Sequence, residues 1–191
     1  MNLNDLYGNR FFRRRNRRHN EEIEAAKIIY QTFQPERVFD VGCALGSYLL
    51  AFKRLGCEVS GCDKYFDNAK KYCDPEILPN LYGADAGLFW EDSVEERFDL
   101  VECIEVAEHL PQTNALNLVC NLCRASSKYI FFTAAQPGQR GTGHINCREK
   151  EYWIKMFNLF GFEQDVEKEL EAKENLKEFG IVKNVIVFGR I

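Results

Sequence analysis

One stretch, Val38-Phe39-Asp40-Val41-Gly42-Cys43-Ala44-Leu45-Gly46, constrains this chain more than any other. An apolar run of strand character leads into a D-x-G-x-x-x-G pattern, and Ser47–Leu55 then has the apolar spacing of a helix, stopped by Gly56. A strand that turns through glycines into a helix opens an α/β sheet, where ligands bind at the carboxyl ends of the strands. Glycine at such a turn permits tight bending and close approach of backbone to ligand.

The rest of the chain repeats the alternation. Strand character is read at Arg37–Val41, Cys57–Asp63, Leu81–Ala84, Phe98–Ile104, Tyr129–Ala134 and Val182–Phe188. Helical spacing is read at Glu21–Phe33, Tyr65–Tyr72, after Pro111 and at Arg148–Phe160, and the acidic stretch Glu167–Glu178 reads as a solvated helix. The strand runs are nearly continuous in apolar residues, as strands covered on both faces require. The 191 residues, 46% of them hydrophobic, suffice for one domain with a substantial core. The expected division is a basic leader and helix over 1–34, then a ligand-binding domain over 35–191.

Composition excludes some classes. No run of about 18 apolar residues would span a membrane, and the N-terminus lacks the apolar core of a secretory signal, so a cytoplasmic location is expected. The eight cysteines read as reduced, mostly buried thiols. Cys120 and Cys123 form a single CxxC within a helical run, a weak signal for zinc. The formal net charge of −4 conceals an asymmetry. Residues 10–18 carry six arginines and no acid, so the remainder of the chain stands at −10. Phe11 and Phe12 accompany those arginines, a combination that suits nucleic acid or a phosphorylated ligand. The blander reading is a segment that folds over the ligand, and the acidic body argues against broad nucleic-acid binding.

The ligand can be narrowed by charge. A dinucleotide site wants glycine where this chain has Ala44, so no pyrophosphate need approach closely. Asp40 places a carboxylate beside the turn, repelling a phosphate and favouring an ammonium. Asp63 ends the second strand, 21 residues after Gly42, where a carboxylate accepts from the hydroxyls of a ribose. Ribose and ammonium without pyrophosphate describe S-adenosylmethionine.

At these residues the chain resembles the class I, Rossmann-like S-adenosylmethionine-dependent methyltransferases, of the type 11/12 kind. Val38–Gly46 looks like their first motif, and Phe98–Pro111, with Glu105-Val106-Ala107-Glu108-His109-Leu110, looks like the segment after their fourth strand. Ala107 departs from the larger apolar residue usual there. The resemblance implies a doubly wound seven-stranded sheet ordered 3-2-1-4-5-7-6, its last strand antiparallel. It further implies cofactor contacts at Asp40, Gly42, Cys43, Gly46, Asp63, Asp85 and Glu105.

The acceptor is less legible. Methyl transfer from a sulfonium proceeds largely by proximity and orientation, aided for a hydroxyl acceptor by a general base. His109, His144 and Glu105 are the candidate catalytic residues, His144 sitting after the glycine-containing loop Gln136–Gly143. The leading expectation is methylation at oxygen of a small-molecule or glycan-like acceptor, without metal. Its alternative is a metal-dependent RNA 2′-O-methyltransferase, because Glu105, Glu108, His109 and His144 resemble the metal set of the small-RNA 3′-end enzymes. A non-enzymatic module keeping the fold as scaffold is a third.

Overall fold

The computed structural model describes residues 7–91 and 97–191; positions 1–6 of the leader lie outside them. Seven strands form one sheet in the order β3-β2-β1-β4-β5-β7-β6. They are β1 (Arg37–Val41), β2 (Glu58–Asp63), β3 (Leu81–Gly83), β4 (Phe98–Ile104), β5 (Ser126–Thr133), β6 (Phe162–Gln164) and β7 (Val185–Arg190). The first five pair in parallel, and β7 runs antiparallel to both β5 and β6. The order and the antiparallel last strand match the expectation.

The helices are α1 (Asn9–Arg15), α2 (His19–Phe33), α3 (Ser47–Arg54), α4 (Phe66–Ala69), α5 (Ala115–Ala125), α6 (Lys150–Asn158) and α7 (Val166–Asn175). They cover both faces because successive strand residues point to opposite sides. Val38, Leu100, Phe131, Val185 and Val187 face α2, α3 and α7, meeting Ile29, Leu50 and Ala172. Phe39, Val101, Ile130, Phe132 and Phe188 face α5 and α6, meeting Leu118, Leu122, Trp153 and Phe157. The Phe157 and Phe188 rings stack at 4.0 Å. Each such buried ring contributes about 1.5–3 kcal/mol relative to exposure. Gln34 ends α2 in the left-handed conformation, φ +45°, and Pro35 follows.

Several boundaries differ from expectation. The Tyr65–Tyr72 stretch breaks into α4 and a 3₁₀ turn at Lys70–Tyr72, because Tyr65, Tyr72 and Ala69 turn to pack against Phe12 of α1. The last strand starts at Val185, since 180–184 form a 3₁₀ turn. β6, three residues long and paired to β7 alone, gives no legible run. The acidic helix is not wholly solvated: in α7, Ala172 enters the core, and Glu169, 5% exposed, is held by Lys150, Lys173 and Gln164. All eight cysteines are free, five of them buried. Among the described residues no helix is long and apolar enough to cross a membrane.

Candidate active site

The carboxyl ends of β1, β2 and β4 open into a cavity of about 360 Å³. Its floor is the glycine turn. Gly42 holds φ +85°, and a Cβ there would collide with Val106. The Gly42 and Cys43 N–H groups both donate to Cys62 O, at 2.7 and 3.0 Å, tying the turn to β2. Gly46 holds φ +70° with Leu81 against its open side. Ala44, the residue in place of a dinucleotide glycine, adopts φ +48°, a strained value for a side chain with Cβ.

That strained alanine has a purpose. Its N–H donates to Asp63 Oδ2 at 3.0 Å, while the Tyr65 N–H donates to Oδ1 at 2.7 Å. Two backbone donors therefore aim the Asp63 carboxylate, leaving further lone pairs for ligand hydroxyls. Burial raises its pKa against the pull of those two donors. Asp85 lines the same wall, bound by Lys64 Nζ at 2.7 Å and the Gly87 N–H at 2.9 Å.

Of the residues expected around a cofactor, Gly42, Asp63, Asp85 and Glu105 line the cavity, whereas Asp40, Cys43 and Gly46 do not. Asp40 is 3% exposed and lies beneath the floor.

The opposite rim carries the acids and imidazoles. Glu105 follows β4 with φ +56°, a conformation held by its N–H donating to Thr133 Oγ1 at 2.9 Å. Its Oε1 accepts from Asn184 Nδ2 at 3.0 Å. A 3₁₀ turn, Ala107–His109, then presents Glu108 and His109. The loop carrying His144 is clipped to that turn, because the Ile145 and Asn146 N–H groups both donate to the Glu108 carbonyl, at 2.8 and 3.0 Å. Gly141 is required there, since a Cβ would strike the His144 ring. The His109 and His144 rings meet edge to face at 5.0 Å.

Protonation follows from the partners. His109 Nδ1 lies 3.2 Å from Gly143 O, and His144 Nδ1 lies 3.3 Å from Gln139 O. A carbonyl only accepts, so both Nδ1 atoms carry a proton, and in a neutral His109 the Nε2 lone pair is free. Burial, then His144, lowers the His109 pKa and keeps the ring neutral. Glu108 is 0% exposed, its carboxyl lies beside that of Glu105, and the nearest imidazole, His144 Nε2, stands 4.0 Å away. Burial and the neighbouring Glu105 push its pKa up to about 8. One ligand atom from each of Glu108, His109 and His144 falls within 4.8 Å of the others, a set able to hold a metal ion; Glu105 is not in it.

The arginine arm supplies the roof, which the sequence did not reveal in detail. Phe12 is fully buried against Ala44, Leu45 and Ala69. Tyr7 stacks on Tyr65 at 4.5 Å and meets His109 edge-on at 6.1 Å. Arg15 and Arg18 line the cavity, while Arg10, Arg13, Arg14 and Arg17 are exposed. The phenylalanines within a basic run were the available signal.

Comparison with known proteins agrees with this geometry. The profile of a family described as "Methyltransferase domain" matches residues 11–168. A ubiquinone biosynthesis O-methyltransferase of Bordetella avium is 29% identical over 121 residues, covering 58% of this chain and 47% of that protein. One from Coxiella burnetii is 30% identical over 107 residues, covering 53% and 45%. The chain thus spans about half the length of these curated relatives. Among solved structures, an amino pentose methyltransferase of Micromonospora echinaspora with S-adenosylmethionine bound superposes with a TM-score of 0.67 at 16% identity, over 93% of this chain and 94% of that one. A SAM-dependent methyltransferase from Archaeoglobus fulgidus gives 0.65 at 18%, over 91% and 94%. The match over 11–168, joined to the strand order and the glycine turn, places this chain in the methyltransferase-domain family, with the fold of the S-adenosylmethionine-dependent enzymes.

Proposed function

We propose that this chain binds S-adenosylmethionine in the cavity and transfers its methyl group to an oxygen of a small-molecule or glycan-like acceptor. The observation that carries the reading is Asp63, aimed into the cavity by two backbone donors beside a glycine turn. It accepts from the ribose hydroxyls, and the sulfonium then lies toward the His109 rim. The methyl carbon bonds to the acceptor oxygen as its bond to sulfur breaks. The hydroxyl proton passes to His109 Nε2, whose lone pair is free and whose ring is held neutral. Glu105 and His144 shape the same rim. The similarity to O-methyltransferases supports oxygen as the acceptor atom.

Calorimetric titration with S-adenosylmethionine, followed by methyl-transfer assays on phenolic and sugar hydroxyls, tests the reading. Donor binding with methylated product from at least one class is expected; a protein that binds no donor refutes it.

A second reading is favoured by the buried Glu108 carboxyl standing beside two imidazoles. Glu108, His109 Nε2 and His144 Nε2 would hold a divalent cation, a mixed nitrogen and oxygen set that suits zinc or manganese. A bound cation would supply acidification of an acceptor hydroxyl. An acceptor with two adjacent hydroxyls, such as an RNA 3′ end, fits that chemistry. Activity indifferent to chelator, with no thermal shift on adding manganese, eliminates this reading and leaves the metal-free one.

A further inference from the structure

Beneath the glycine turn lie two carboxyls that the donor contacts leave unexplained. Asp40 on β1 and Glu102 on β4 are register partners, so both side chains stand on one face of the sheet. They are 3% and 0% exposed, and both oxygens of Glu102 lack a hydrogen-bond partner. A glutamate inside the apolar strand Phe98–Ile104 has no packing rationale.

The surroundings offer little compensation. The charged groups acting on Asp40 are Arg15 of α1, Glu22 of α2 and Asp63 of β2. Arg15 is already engaged, its Nε 2.8 Å from Glu22 Oε1. The other titratable neighbours are neutral: Tyr48 of α3 and the thiols of Cys43, Cys57, Cys62 and Cys103. Two adjacent buried carboxyls with one shared cation cannot both ionise. Burial raises both, Asp40 to about 8 and Glu102 well above the usual range; Asp63 and Glu22 raise Asp40 further against the pull of Arg15, and Asp40 raises Glu102.

We infer that Asp40 and Glu102 hold a proton between them in the free protein and release it to solvent when a cationic donor binds above, forming a titratable counter-charge for S-adenosylmethionine. This rests on the cavity being the donor site. The donor carries a sulfonium and an ammonium against one carboxylate, a net positive charge. Transfer turns the sulfonium into a neutral thioether, the net charge vanishes, and the pair takes its proton back. Glu102 is a positioning residue: it touches no ligand and acts through Asp40, fixing the charge under the floor.

The test is calorimetry of S-adenosylmethionine and S-adenosylhomocysteine binding at about pH 6.5, where both amino groups are protonated, in buffers of differing ionisation enthalpy. The wild-type protein should release about one proton with the donor and less with the product. Glu102→Gln removes one of the two acids that can hold the proton and should cut the release at least twofold, with a melting curve confirming the fold. Asp40→Asn should do the same and replaces that variant if it fails to fold. Donor binding without proton release, or undiminished release in a folded variant, overturns this inference alone. Absence of all donor binding overturns the donor-site reading and this inference with it.

Discussion

The two ends of the cavity are built in different ways. At the proposed donor end the carboxylates that line the cavity are held: backbone N–H groups fix Asp63, the turn is tied to Cys62, and Asp85 is bound by Lys64 and Gly87. At the proposed acceptor end Glu108 is buried against the Glu105 carboxyl and beside two imidazoles that meet edge to face. A satisfied site is rigid and recognises one shape. On the proposed assignment the donor end is preorganised, whereas the acceptor end keeps two crowded acids whose charge a ligand would settle.

Substitutions can break this contrast in order of expected effect. His109→Gln removes the free Nε2 base and should lower kcat by about 10²–10⁴. Donor affinity should stay unchanged, and an equal loss in donor affinity would merge the two ends. Gly42→Ala forces a Cβ into Val106 at φ +85° and should destabilise the fold by about 2–4 kcal/mol. Thermal unfolding reads this, and an unaltered melting temperature would show the turn to be loosely packed. Tyr7→Ala removes the ring stacked on Tyr65 and edge-on to His109, and should raise KM by about 0.5–1.5 kcal/mol equivalent. Kinetics indistinguishable from wild type would remove the arm from the site.

The same contrast explains what the sequence disclosed. The donor end is local: strand, turn and helix run through Val38–Ser47, and Asp63 closes the next strand, so glycine spacing and hydrophobic pattern sufficed. The strand order came from resemblance, since pattern alone did not show β6. The acceptor end joins three distant segments. Nothing local indicates that Asn184 reaches Glu105, or that the His144 loop is clipped to the Glu108 carbonyl. Residues 9–15 gave no core-seeking helical spacing, because α1 buries only Phe12 while Arg10, Arg13 and Arg14 are exposed and Arg15 turns to Glu22. Glu102 drew no notice inside its apolar strand, and its pairing with Asp40 needs the β1–β4 register. Ala44 in place of a glycine means only that no pyrophosphate need approach; its further role, donating to Asp63 from a left-handed backbone, is a property of φ that no pattern displays.

The central claim is that Asp63 holds the donor's ribose in this cavity. Titration calorimetry of S-adenosylmethionine into the wild-type protein and Asp63→Ala tests it most directly. One site per chain is predicted, with affinity falling by about 1–3 kcal/mol in the variant as the ribose hydrogen bonds are lost. Equal affinity in the two folded proteins, or no binding in either, would contradict it.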